Sequence, residues 1–131
     1  MPLSCSSDLD DGSLQGIRVL VVEDNGPVAG ALASVLTDTG MAVTGPAATS
    51  HEAEQLTMTQ SPDLALVDLN LGDELAVGLI EWLLQRNLRV IVMSGLAILP
   101  MSVSKNAAFL QKPFSADELF AAMRQEMLTA A

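Results

Sequence analysis

The chain carries one cysteine, one histidine and six basic residues among 131, and each shortage closes off a kind of chemistry. Cys5 stands alone in a polar N-terminal stretch, which leaves neither a disulfide framework nor a cysteine metal cluster and fits a reducing cytoplasm. Six Lys plus Arg against 16 Asp plus Glu give a formal charge of −10, which disfavours direct binding to nucleic acid or to an anionic membrane. No stretch approaches the roughly 18 consecutive apolar residues of a membrane span. Residues 1–15 lack the basic start and apolar centre of a signal peptide and hold Ser6, Ser7, Asp8, Asp10 and Asp11 instead. They read as a flexible tail ahead of one domain over 16–131. Aromatics are 3% of the chain, yet half of it is apolar, which suits helices packed on a small sheet. The length suffices to bury such a core without disulfide or metal staples.

Strand and helix patterns alternate along that domain. Ile17-Arg18-Val19-Leu20-Val21-Val22 is a nearly unbroken β-branched run, as in a strand covered on both faces, and it ends in Glu23-Asp24. Over 25–39, Val28, Leu32, Val35 and Leu36 recur at helical spacing, with Asn25 as cap, Pro27 in the first turn and Gly40 as stop. A short second strand follows over 41–45, and Thr49 with Glu52 has the form of a capping box for a helix that stops before Pro62. Asp63-Leu64-Ala65-Leu66-Val67-Asp68 repeats the logic of the first strand, and a loop containing Gly72 comes next. The third helix is expected over 76–86, a fourth strand at Arg89-Val90-Ile91-Val92-Met93 closing in Ser94-Gly95, and a fifth over 107–111 before Lys112-Pro113. Ser115 and Glu118 open a last helix whose Leu119, Phe120, Met123 and Met127 form an apolar stripe. The pattern predicts an α/β fold, a doubly wound five-stranded parallel sheet with helices on both faces and a ligand site beyond the carboxyl ends of its strands.

Four strand ends then share one rim: Glu23 and Asp24, Asp68, Ser94 and Lys112. Carboxylates brought together there repel one another unless some are protonated or a cation holds them. Oxygen ligands without His or Cys favour a hard divalent ion, Mg²⁺ or Mn²⁺, which leaves waters for a phosphate oxygen to replace. With such an ion, Asp68 can act as nucleophile toward an activated phosphoryl group, as carboxylates do in forming aspartyl phosphates. Lys112 would set a cation against the transferred oxygens, and the Ser94 hydroxyl could donate to one of them. Pro113, directly after the lysine, is a candidate for a cis peptide bond that aims it inward.

Together Val21-Val22-Glu23-Asp24, Leu66-Val67-Asp68-Leu69-Asn70-Leu71, Met93-Ser94-Gly95 and Phe109-Leu110-Gln111-Lys112-Pro113-Phe114 resemble the receiver domain of two-component response regulators, over about residues 16–128. The resemblance implies a flavodoxin-like strand order 2-1-3-4-5. It also implies direct metal ligation by Asp24 and Asp68, a water-mediated part for Glu23 and a backbone carbonyl ligand from Asn70. Ser94 becomes the switch hydroxyl and Phe109 the switch aromatic. The implied partners are a sensor histidine kinase or phosphotransfer protein upstream and an unidentified protein downstream, with the receiver a monomer or weak homodimer. By the same resemblance it would be a phosphoacceptor that assists its own phosphorylation and dephosphorylation, not an enzyme with an independent substrate. The wording Gly45-Pro46-Ala47-Ala48-Thr49, with Asp63 to Leu71, is similar to an alphaproteobacterial subset found beside HWE-type sensor kinases.

One segment departs from the family. Residues 95–106 are short for a fourth helix and carry Pro100 in their middle, where proline costs about 3 kcal/mol, so a shortened or missing fourth helix is expected. The face built from that helix, the fifth strand and the last helix, a common output face in the family, must differ accordingly. With no further domain after the last helix, output is expected to pass through another protein. The enzyme rival is a haloacid-dehalogenase-type phosphohydrolase, but that family wants a second Asp where Asn70 stands and its nucleophile on the first strand. A flavin-mononucleotide carrier would want Ser, Thr and Gly where Glu23-Asp24 stand. A binding module indifferent to phosphorylation is the third alternative. His51 and Trp82 read as a surface residue and a packing residue.

Overall fold

A computed structural model of the protein describes residues 14–72, 74–95 and 107–128. Seven strands and four helices alternate among them: β1 Arg18–Val22, α1 Gly26–Asp38, β2 Ala42–Ala47, α2 Ser50–Gln60, β3 Leu64–Asp68, β4 Asn70–Leu71, β5 Glu74–Leu75, α3 Val77–Gln85, β6 Arg89–Ser94, β7 Ala108–Gln111 and α4 Ala116–Leu128. The main sheet is parallel with the order β2-β1-β3-β6-β7, which is the expected 2-1-3-4-5 once the small pair β4-β5 is set aside. The segment expected to lack a full fourth helix, 95–106, lies outside the described residues from 96 onward, as does the body of the N-terminal tail.

Successive side chains of a strand point to opposite faces, so apolar runs feed two cores at once. Leu20, Val22, Ala65, Val67, Val90 and Val92 pack against Ala53 of α2 and Leu79, Ile80 and Leu83 of α3. Val19, Val21, Leu64, Leu66, Ile91 and Met93 pack on the other face against Leu32 and Leu36 of α1 and Leu119 and Met123 of α4. The second core begins earlier than the sequence suggests. Leu14 is fully buried within it, so the ordered fold starts ahead of Gly16 and only part of residues 1–15 can be a tail.

Local signals start the helices where they stand. Asn25 caps α1 by accepting from Val28 N at 3.1 Å, with proline in the first turn. Ser115 and Glu118 form a full reciprocal box, Glu118 N donating to Ser115 Oγ at 3.1 Å and Ser115 N to Glu118 Oε1 at 2.8 Å. At α2 the box is displaced by one residue. Thr49 Oγ1 accepts from Glu52 N at 3.1 Å, but Glu52 Oε1 accepts from Ala48 N at 2.9 Å, one position earlier than the usual return. Two further differences matter for the site. β2 runs on through Pro46 to Ala47, and the expected loop after Asp68 contains an antiparallel pair, Asn70 with Leu75 and Leu71 with Glu74.

Leu66 sits on the central strand with no exposed surface, so Leu66→Ala should remove about 2–5 kcal/mol of stability, read as a lower urea midpoint.

Candidate phosphoacceptor and metal site

The parallel ladder brings the carboxyl ends of β1, β3, β6 and β7 to one edge. Asp68 is the last residue of β3 and pairs with Met93; Ser94 follows on β6, pairs with Gln111 and accepts through its carbonyl from Lys112 N at 2.8 Å. Glu23, Asp24 and Asp68 each present a carboxylate oxygen within 4.8 Å of the others. Glu23 and Asp68 are buried and Asp24 is exposed at the mouth. Lys112 Nζ reaches Glu23 Oε1 at 3.1 Å and Asp68 Oδ2 at 3.2 Å, so one ammonium bridges two carboxylates.

Backbone donors fix the remaining oxygens. Asn70 N donates to Asp68 Oδ1 at 3.1 Å and Asn25 N to Glu23 Oε2 at 3.3 Å. Asp68 is thus held at both oxygens, one by an amide and one by an ammonium. Asn25 has a double duty that its sequence context did not suggest: its side chain caps α1 while its amide holds the glutamate. Gly72, in the turn between β4 and β5, lies against Asp24 Oδ2, which a Cβ on it would meet at 3.6 Å.

Electrostatics reflect this crowding. Burial pushes the Glu23 carboxyl above its ordinary value, the adjacent Asp68 carboxylate adds to the rise, and Lys112 opposes it. Burial pulls the Lys112 ammonium down, but hydrogen bonds and charge from Glu23 and Asp68 outweigh that and leave it raised. Three carboxylates against one ammonium leave a formal excess of two negative charges when all are ionised. An all-oxygen, partly open donor set with that excess fits a hard divalent cation, with Glu23, Asp24 and Asp68 as the groups to hold it.

Ser94, the expected switch hydroxyl, is fully buried at the rim, and Phe109, half-buried on β7, pairs with Val92. The Lys112–Pro113 bond is cis, as expected for Pro113, and so is Gly45–Pro46, which no feature of the sequence marks. His51 is exposed in the first turn of α2. Trp82 is half-buried on α3 with the Arg86 guanidinium 4.7 Å from its ring centroid.

The family model described as response regulator receiver domain matches residues 19–124. Among solved structures, the chain is similar to the CheY-like receiver domain protein from Methanospirillum hungatei JF-1 (25% identity, TM-score 0.76, covering 86% of this chain and 94% of that one). It is also similar to a CheY-like receiver domain from Methylobacillus flagellatus (21% identity, TM-score 0.76, 86% and 99% covered). A third likeness is to the anti-anti-sigma factor PhyR from Bartonella quintana (21% identity, TM-score 0.76, 94% and 52% covered). The chain spans about half the length of the PhyR structures it matches. No curated protein matches the sequence.

A carboxyl raised by the fold adds stability that is complete below its unfolded pKa near 4.5 and is lost as pH rises through the raised value. With divalent ions chelated, Glu23→Gln should therefore melt higher than the wild type at neutral pH, and the gap should close as pH falls toward about 4, near the free carboxylate range. Scanning calorimetry across that pH range checks it.

Proposed function

The chain belongs to the response regulator receiver domain family of two-component signalling, and on that premise we propose that it is a Mg²⁺-assisted phosphoacceptor switch in which Asp68 takes the phosphoryl group. The observation that carries this reading is the rim itself. A buried aspartate at the end of the central strand is held by an amide and an ammonium, with two more carboxylates within 4.8 Å.

A divalent cation held by Glu23, Asp24 and Asp68 would supply positive charge against the phosphoryl oxygens. The protein's own part is positional. The Asn70 amide on Oδ1 and the Lys112 ammonium on Oδ2 hold the Asp68 carboxylate against rotation. Its attack on phosphorus forms the acyl phosphate bond as the bond to the donor's leaving atom breaks. Lys112, already on Asp68 Oδ2, exchanges that contact for a phosphoryl oxygen and neutralises part of the charge that arrives. The Ser94 hydroxyl gives the phosphoryl group a second donor, and half-buried Phe109 on the adjacent strand follows it inward. Acylation replaces the single carboxylate charge of Asp68 by the roughly 1.5 to 2 charges of a phosphoryl group, a net gain of up to about one negative charge together with new acceptor oxygens, and these drive that rearrangement.

The protein acts as a switch that assists its own phosphorylation and dephosphorylation and has no substrate of its own to turn over. The donor is a sensor histidine kinase or a phosphotransfer protein. The target of the switched face is another protein; the net charge of −10 argues against nucleic acid, and likeness to about half of a protein described as an anti-anti-sigma factor favours a protein partner. Among the described residues no helix is long and apolar enough to cross a membrane.

Incubation with Mg²⁺ and acetyl phosphate, followed by intact-mass measurement, should add one phosphoryl group to the wild type and none to Asp68→Asn. Lys112→Ala should accept the group about 100-fold more slowly. No adduct on the wild type, or equal adducts on wild type and Asp68→Asn, would overturn the reading.

A further inference from the structure

The ladder between β1 and β2 is regular for three pairs, Arg18 with Ala42, Val19 with Val43 and Leu20 with Thr44, and then slips so that Val22 faces Ala47. Two steps along β1 are matched by three along β2, so one extra residue is accommodated at Gly45–Pro46. Such bulges bend a strand and re-aim the residues beyond them, and they recur beside active sites. Strict alternation would put residue 46, and not 47, on the same face as buried Thr44. The slip instead buries Ala47 and sets its carbonyl 2.9 Å from the N–H of Glu23.

Gly45 is what admits the extra residue. Its φ of +99° lies where side-chain-bearing residues rarely go. A Cβ there would stand 2.8 Å from Ala47 N and 3.1 Å from Val21 O, and both are backbone atoms that cannot turn aside. The first belongs to the residue that receives the Glu23 amide. The second lies on the strand that leads into Glu23. Glu23 itself is one residue past the end of β1, so its contact with Ala47 O sets where the chain leaves the sheet. From there its carboxylate reaches Lys112 Nζ and Asn25 N.

We propose that Gly45 is a positioning residue for the acidic rim: by admitting the extra residue of β2 it holds Ala47 O on the Glu23 N–H and so aims the Glu23 carboxylate at the place it shares with Asp24 and Asp68. The inference rests on the reading of that rim as a divalent-cation site. Gly45 touches no reacting atom and acts through Ala47. Groups that orient metal-holding side chains from behind typically contribute 10- to 100-fold to affinity. A glycine needed only for folding would cost stability and leave the affinity of the folded protein unchanged.

The test is calorimetric titration of the full chain with MgCl₂, well below the melting temperature, on the wild type, Gly45→Ala, Ala47→Gly and Met123→Ala, with amide exchange at Glu23 followed in parallel. Gly45→Ala should bind Mg²⁺ at least about 10-fold more weakly and exchange the Glu23 amide faster, while the Leu66 and Ile91 amides stay protected. Ala47→Gly keeps the carbonyl but loosens the backbone around it, and should move both readings the same way by a smaller factor. Met123→Ala, a core truncation on the other face of the sheet, should lose stability at wild-type affinity. Wild-type affinity in Gly45→Ala, or an equal loss in Met123→Ala, overturns the proposal. If Gly45→Ala does not fold, unchanged affinity and exchange in Ala47→Gly overturn it. A wild type that binds no Mg²⁺ removes the cation-site reading and this proposal with it, whereas a wild type that binds beside an indifferent Gly45→Ala sinks only the proposal.

Discussion

Glu23 and Asp68, two carboxylates that the sheet buries side by side, can remain there only because a cation is aimed at both. Lys112 supplies that cation from the end of β7, far along the chain from either partner. Its stem rises from a strand whose place is fixed by β6, and β6 in turn lies against β3, which ends in Asp68. The order of strands is therefore also the wiring of the charge cluster. Exchanging two strands would leave each core face apolar but would separate the ammonium from the acids and bury uncompensated charge, which costs several kcal/mol per ion.

The same neighbours determine what the site can accept. One ammonium against three carboxylates stabilises the fold without satisfying the rim. The residual negative charge suits a divalent ion, and exposed Asp24 leaves the cluster open to solvent on one side. Backbone amides from Asn25 and Asn70 complete the arrangement. They are neutral donors that hold carboxylate oxygens without competing for charge, and each stands two residues after the carboxylate it holds. A site built this way asks little of distant side chains and much of strand ends.

That reliance on strand ends also made the site legible in the sequence. Long apolar runs with a charged last residue announce both a buried strand and its functional end, so Glu23, Asp24, Asp68, Ser94 and Lys112 were visible as a set, as was the sheet that gathers them. Reciprocal caps such as Ser115 with Glu118 were visible for the same reason, since local spacing determines them. Features made by tertiary contact left no such trace. The β4-β5 pair is two residues long on each side, too short for any period, and Leu14 lies at the end of a polar stretch that hides its place in the core. Gly45-Pro46 looks like the end of a strand because both residues usually interrupt one. In the fold β2 carries on through them, and only the position of β1 alongside reveals the extra residue.

Trp82, the sole tryptophan, lies midway down α3 and beneath the Arg86 guanidinium. That helix starts near the rim and runs toward the opposite edge of the sheet, so the indole sits about 7 Å of helical rise away from the functional end. As the sole tryptophan it makes intrinsic emission a report on the packing of α3 and the approach of one arginine. A direct spectroscopic view of the rim calls for a label placed beside it.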